Sequence, residues 1–97
     1  MGSERFVVVA VIDVGTAAVT EFQRYEDQVL PLLRRHGGEL ERRLRGPDCT
    51  TEVHVLSFDT EAAWRGYLDD PQRAAHRAVL ADAPVEQRVL VGLRDVG

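Results

Sequence analysis

Histidine is the side chain in this sequence best suited to acid–base chemistry near neutral pH. His54 lies within an extended apolar segment, at the same alternation as Leu56 and Phe58. A neutral imidazole held on a rigid strand can act as a general base. We therefore predict His54 and His76 as candidate catalytic residues. A hydrogen-bonded structural role for His54 and a solvent-facing position for His76 stay open as alternatives.

Aromatic side chains could shape a substrate pocket near these histidines. Trp64 and Tyr67 are one helical turn apart, Tyr25 belongs to an earlier helical segment, and Phe58 ends a strand. Large aromatic side chains also dominate small hydrophobic cores, so simple packing is the alternative. We predict that these four residues bind and orient a substrate, and that Trp64 is largely buried against the sheet.

Composition excludes several kinds of site. The chain has one cysteine, Cys49, and contains no lysine and no asparagine. An intrachain disulfide, a cysteine-rich metal site and a lysine Schiff base are therefore excluded. No Ser-His-Asp spacing, glycine-rich phosphate loop or metal-ligand cluster stands out. We expect no metal and no cofactor.

Length and charge narrow the class of protein further. The 97 residues fit one domain, residues 1–97, and carry a formal net charge of -4. An acidic balance argues against nucleic acid as a partner. No apolar run approaches the ~18–20 residues of a membrane-spanning helix, and no signal-peptide pattern opens the sequence. We expect a cytoplasmic protein.

Arginines cluster around the predicted second strand, at positions 34, 35, 42, 43 and 45. Such a cluster can bind an anionic substrate. It is more often a solvated face, here paired with Glu39 and Glu41. His36, at the end of a predicted helix, is interpreted as a partner of the helix dipole.

Apolar periodicity predicts the elements that must position these side chains. Period-2 or continuous apolar patterns predict strands over residues 5–13, 39–45, 50–58 and 85–95. In the second strand, Leu40 and Leu44 are expected on one face. A period near 3.6 predicts a helix over residues 17–35, bent near Asp27 because Pro31 removes a backbone hydrogen bond.

The second helical segment is predicted in two pieces. Thr60 is a suitable N-cap for the first piece, and Asp70 caps a second piece that runs from Pro71 to Ala81. The order β-α-β-β-α-β predicts an α+β, ferredoxin-like domain with four antiparallel strands and helices on one face. The first strand is apolar on both faces, so we expect a homodimer formed sheet to sheet.

Three stretches together resemble the dimeric α+β barrel superfamily: residues 25–40 with Pro31 and Gly37-Gly38, residues 58–64 with Glu61, Ala62 and Trp64, and residues 70–77 with Asp70-Pro71 and His76. Candidate members are the antibiotic-biosynthesis monooxygenase-like, ethyl-tert-butyl-ether-degradation-like and YCII-related families. Haem-degrading members use an Asn, a Trp and a His. Trp64 and His76 match the last two, and the Asn has no counterpart here.

The resemblance implies a small cofactor-independent enzyme of secondary metabolism. Such an enzyme is expected to be monooxygenase-like and to act on an aromatic or polyketide-type substrate in an apolar pocket between sheet and helices. Two other functions stay open. One is a redox-neutral polyketide cyclase or isomerase. The other is a non-catalytic dimeric protein that binds a ligand or serves as an accessory.

Overall fold

A computed structural model describes residues 4–80 and 83–97 of the chain. The strands are β1 (Phe6–Val14), β2 (Gly38–Arg45), β3 (Thr51–Phe58) and β4 (Val85–Leu93). The α-helices are α1 (Val19–Val29), α2 (Glu61–Leu68) and α3 (Pro71–Arg77). Shorter 3₁₀ segments cover Thr16–Ala18, Leu30–His36 and Ala78–Leu80. The predicted last helical residue, Ala81, lies outside the described residues.

The four strands form one antiparallel sheet in the order β2-β3-β1-β4. Val8 and Ile12 of β1 pack with Leu56 of β3 and with Phe22 and Val29 of α1 in one buried core. The alternation along the strands places these residues on the face that the helices cover. The predicted ferredoxin-like fold is confirmed.

The first helix deviates from its predicted course at Pro31. The α-helix ends at Val29, and the chain continues as a 3₁₀ segment in which proline occupies a first-turn position. Because proline lacks an amide hydrogen, it cannot donate to the carbonyl of Asp27, as a continuing α-helix would require. The predicted bend near Asp27 is therefore a change of helix type from Leu30 onward. Gly37, with φ of 69°, ends the segment.

Strand β2 corrects the predicted placement of its side chains. Its register with β3 shifts between Leu40 and Arg42, so that Leu40 lies opposite Leu56 and Leu44 opposite Val53. Directly paired residues share a face, and Leu56 and Val53 lie on opposite faces of β3. The expectation that Leu40 and Leu44 share a face is wrong, because a one-residue irregularity inverts the alternation.

The two predicted helix caps of the second helical segment are confirmed. The Ala63 amide donates to Thr60 Oγ1 over 3.1 Å, and the Gln72 amide donates to Asp70 Oδ1 over 2.8 Å. Asp70 also lies 2.7 Å from His36 Nε2 through its second oxygen. This contact joins the end of the first helical segment to the start of α3.

The opposite face of the sheet carries half-buried apolar side chains. Val9 lies opposite Val55 and Leu90, and Val11 opposite Val53. Across the described residues, no helix has the length and apolar character that crossing a membrane requires.

Candidate acid–base site between sheet and helices

Two titratable residues of β3 face the buried layer. Glu52 and His54 alternate with half-buried valines, and their exposed fractions are 1% and 3%. Because side chains two residues apart share a face of a strand, they continue the row formed by Leu56 and Phe58. An acid and a base therefore occupy positions that a strand of this kind normally gives to apolar residues.

Glu52 is held ionised by the groups around it. His54 Nε2 lies 2.8 Å from Glu52 Oε1, and the Nε atoms of Arg43 and Arg45 each donate to Glu52 over 2.8 Å. Burial raises the pKa of Glu52, but hydrogen bonds from Arg43, His54 and Arg45 outweigh it and lower the pKa to about 2. An ionised carboxylate only accepts, so Nε2 of His54 carries the hydrogen.

His54 is held neutral near pH 7. Burial lowers its pKa, and the hydrogen bond and negative charge of Glu52 oppose this effect without reversing it. Since Nε2 carries the hydrogen, Nδ1 of the neutral ring presents a lone pair. That atom can accept a proton, and Glu52 would then stabilise the imidazolium that forms.

Glu26 of α1 faces this lone pair. Its Oε2 atom lies 3.8 Å from His54 Nδ1. Burial raises the pKa of Glu26 to about 7, with the charge of Arg43 opposing the rise and that of Glu52 adding to it. A carboxyl group and an imidazole that both change protonation near or below pH 7 can act as an acid–base pair.

Arg43 links this cluster to the surface. Its Nη1 donates to Asp27 over 3.1 Å, while its Nε donates to Glu52. Both Arg43 and Asp27 line an open groove of about 1200 Å³ between the 3₁₀ segment and β2. Its apolar wall comes from Leu30, Leu33 and Leu40. The groove therefore opens directly beside the acid–base cluster.

Two arginines of the cluster have other partners than the expected solvated face gave them, while Arg34, Arg35 and Arg42 are exposed. Arg43 and Arg45 pair with the buried Glu52 rather than with Glu39 or Glu41. The irregular register of β2 is the cause, since it places Arg43 opposite His54 and Arg45 opposite Glu52.

Three of the predicted binding residues lie together at the other end of the layer. The ring centroid of Phe58 lies 5.5 Å from that of Trp64 and 5.8 Å from that of Tyr67. Trp64 is partly buried and packs against the core, whereas Phe58 and Tyr67 beside it are fully buried. Such a cluster offers an apolar surface to a planar ligand and also packs the core.

Tyr25 and His76 occupy separate positions. Tyr25 is buried on α1 beside Glu26, whereas His76 is half-buried on α3. His76 forms no hydrogen bond or ion pair within residues 4–80 and 83–97. The structure therefore does not join the two predicted catalytic histidines. None of the six predicted site residues lines the groove.

Glu26 and Glu52 are the functional candidates that sequence reasoning missed. Glu52 has the same alternation as His54, Leu56 and Phe58 on β3. Glu26 falls four residues after Phe22 and three before Val29, within the buried stripe of α1. A carboxylate at an apolar position of a regular pattern was the available signal.

Comparison with known proteins finds a likeness only among solved structures, since no family model and no curated protein matches. A putative antibiotic biosynthesis monooxygenase from Nitrosomonas europaea is 18% identical, with a TM-score of 0.73 over 92% of this chain and 99% of that chain. SnoaB, a cofactor-independent oxygenase from Streptomyces nogalater, is also 18% identical, with a TM-score of 0.73 over 97% and 98%.

A third structure, a putative antibiotic biosynthesis monooxygenase from Bacteroides thetaiotaomicron, is 12% identical. Its TM-score is 0.78, and the match covers 96% of this chain and 90% of that chain. Likeness at this level of identity shows the fold. The chain therefore shares the fold of these antibiotic biosynthesis monooxygenase structures, as its sequence motifs predicted.

Proposed function

We propose that the protein is a cofactor-independent, monooxygenase-like enzyme that deprotonates an electron-rich aromatic or polyketide-type substrate. The observation that carries this proposal is the buried Glu52–His54 pair with Glu26 facing the Nδ1 atom of His54. The fold it shares with SnoaB, which is described as a cofactor-independent oxygenase, supports the same kind of chemistry.

Each member of the cluster has a distinct role in this proposal. His54 Nδ1 accepts the substrate proton, and Glu52 fixes the tautomer and stabilises the resulting imidazolium. Glu26, whose pKa is about 7, carries the proton onward to a reaction intermediate or to solvent. Proton transfer by a positioned base contributes about 10²–10⁴ in rate.

The oxidation balances with dioxygen as the only co-substrate. Deprotonation of a ring CH₂ group gives a carbanion that transfers one electron to O₂. The substrate radical and superoxide then combine, and the peroxide anion takes back the proton to give a hydroperoxide. Loss of water from the resulting hydroperoxide converts CH₂ into C=O. One oxygen atom enters the product, and the other leaves as water with the two substrate hydrogens. The four electrons that O₂ accepts all come from that carbon.

The substrate is proposed to lie in the layer between helices and sheet. Tyr25, Phe58, Trp64 and Tyr67 would contact its ring system, and the groove beside Arg43 would admit it. His54 is buried, so part of the substrate must pass the Arg43 side chain to reach Nδ1. Holding the ring near the base would lower the entropic cost of the proton transfer.

Oxygen consumption with a hydroxylated anthrone as substrate tests the proposal. His54→Ala should lower turnover by about 10²–10⁴ relative to the unchanged protein. Glu26→Gln should also lower turnover, because its side chain cannot release a proton. Glu21→Gln is the matched control, since Glu21 is exposed on the same helix and its loss should leave turnover unchanged.

The other outcomes separate the remaining functions. Conversion of the substrate under nitrogen would indicate a redox-neutral cyclase or isomerase. Saturable binding of the anthrone with no conversion would indicate a ligand-binding or accessory protein. Full turnover in His54→Ala, with loss of turnover in His76→Ala, would contradict His54 as the base and transfer that role to His76.

A homodimer formed through the open sheet face completes the proposed assembly. Half-buried Val9, Val11, Val53 and Val55 share that face and favour burial against a second sheet. Sedimentation at micromolar concentration should give a dimer. A monomer at that concentration would contradict this assembly. If the protein is a dimer, Val9→Glu should shift it toward monomer.

A further inference from the structure

The groove between the 3₁₀ segment and β2 combines an apolar wall with cationic side chains. Leu30, Leu33 and Leu40 form the wall, and Arg34 and Arg43 line the same groove. An apolar surface with a few polar groups is typical of sites that bind small organic molecules. The charged side chains therefore decide which class of molecule fits the groove.

Most of the other charges that line the groove are balanced or belong to another face. Arg5 pairs with Asp59 over 2.7 Å. Glu39 lies opposite Ser57 and so belongs to the open sheet face, away from the helices. Arg34 forms no ion pair within residues 4–80 and 83–97. The groove therefore carries unbalanced positive charge, which favours an anionic ligand.

Arg43 can bind an anion without leaving Glu52. Its Nε and Nη2 atoms donate to Glu52 over 2.8 and 3.4 Å, and its Nη1 atom donates to Asp27 over 3.1 Å. A guanidinium group has five N–H donors, so two take no part in these bonds. They belong to Nη1 and Nη2, the edge of the group that can donate two parallel hydrogen bonds to one carboxylate.

Asp27 is the group that a ligand would replace on Arg43. Its side chain is 67% exposed, whereas that of Glu52 is 1% exposed. An exposed ion pair contributes little to stability, because water solvates both charges well. Asp27 therefore regains water at little cost when it is displaced, while Glu52 keeps Arg43 in place. The Arg43–Asp27 contact is exchangeable, and the Arg43–Glu52 contact is fixed.

We propose that Arg43 binds a carboxylate of the substrate in this groove and releases Asp27 to solvent. The inference rests on the proposed function and narrows its substrate class to aromatic or polyketide-type acids. Arg43 lies directly opposite His54 in the sheet, so a bound carboxylate anchors the substrate beside the candidate base. The apolar wall contacts the carbon skeleton. No covalent bond forms or breaks in this step.

A fluorescent acid tests the site without any turnover. Anthracene-2-carboxylate and its uncharged carboxamide have nearly the same shape, and the binding of each is followed by fluorescence titration under nitrogen. The carboxylate should bind at least about tenfold more tightly than the carboxamide. Added salt should reduce that preference. Equal affinity for the two probes would overturn the inference.

Asp27→Asn should increase the affinity, which a purely structural role of the ion pair does not predict. It removes the competing carboxylate from Arg43 and should tighten carboxylate binding about twofold to fivefold, with no change for the carboxamide. Glu21→Gln is the matched control, since it removes the same charge from an exposed position of α1. Asp59→Asn frees Arg5 in the same groove, and both controls should leave the affinity unchanged. An equal gain in either control, or no gain in Asp27→Asn, would contradict Arg43 as the anchor.

Arg43→Gln should have the opposite effect and reduce the affinity for the carboxylate to that for the carboxamide. A folded Arg43→Gln that keeps the preference would overturn the inference. Because Arg43 also pairs with the buried Glu52, circular dichroism first checks the fold, and Asp27→Asn decides if this variant does not fold. Binding needs no catalysis, so absence of oxygen consumption would contradict the proposed function and leave this site standing.

Discussion

The two ends of the layer between helices and sheet differ in chemistry although the same strand builds both. Phe58 of β3 meets Trp64 and Tyr67 at one end, whereas Glu52 and His54 meet Glu26 at the other. Residues two apart on a strand are only about 6.6 Å apart. One row of side chains therefore passes from an apolar cluster into an acid–base cluster within a few residues.

This difference shows which of the two ends is explained by its contribution to folding stability. Burying an aromatic or aliphatic side chain contributes about 1.5–3 kcal/mol, so the aromatic cluster needs no further reason. Buried ion pairs add little over well-packed apolar residues, because desolvation offsets their attraction. Glu26, Glu52 and His54 have no comparable justification in packing, and the proposed acid–base chemistry would supply one.

Removing the charge of Glu52 should give the largest effect on stability. Glu52→Gln removes the buried anionic partner of Arg43, Arg45 and His54, and His54 is itself buried. The free energy of unfolding should fall by about 3–5 kcal/mol, measured by urea titration.

An exposed ion pair provides the control. Glu61 and Arg65 form a surface pair, with side chains 56% and 71% exposed. Glu61→Gln should change the free energy of unfolding by less than about 1 kcal/mol. Equal effects of the two substitutions would show that the Glu52 cluster contributes no more to stability than the surface pair.

Glu26 should give the next largest effect, and it should depend on pH. Because burial raises its folded pKa to about 7 from an unfolded value of 4.5, its contribution is fully present below pH 4.5 and is lost as pH rises through 7. Relative to Glu26→Gln, the unchanged protein should lose on the order of 3 kcal/mol between pH 4.5 and 8. Parallel stability curves for the two proteins would contradict a raised pKa.

Trp64 should give a smaller effect at the aromatic end. Trp64→Ala should lower the free energy of unfolding by about 2 kcal/mol, below the 3–5 kcal/mol typical of fully buried aromatic residues, because Trp64 is half-buried. Loss of tryptophan fluorescence prevents its use here, so circular dichroism follows unfolding. A loss under about 0.5 kcal/mol would place Trp64 outside the core.

The fold could be predicted because local signals agree with it. The apolar alternation of β1, the caps at Thr60 and Asp70 and the glycine at position 37 each report on neighbouring residues alone. The predicted bend near Asp27 and the observed change of helix type at Leu30 lie only a few residues apart. Such signals survive in one sequence because they depend on backbone geometry.

The candidate site could be predicted only in part, because its geometry comes from contacts between elements. His54 was identified from its strand, but its partners are on the same strand, on β2 and on α1. The one-residue irregularity near Leu40 turns Arg43 toward Glu52, and no local pattern signals it. The register between neighbouring strands therefore decides which charged side chains meet, and no local sequence pattern reports that register.

The central claim is that His54 is a neutral base oriented by an ionised Glu52. Nitrogen-15 NMR of the imidazole rings tests it directly. At pH 7 His54 should carry its hydrogen on Nε2 and leave Nδ1 unprotonated, and it should gain a proton only below pH 6.5, since its pKa is lowered. In Glu52→Gln this tautomer preference should weaken. A His54 that is cationic at pH 7, or that carries its hydrogen on Nδ1, would contradict its role as a neutral base oriented by Glu52.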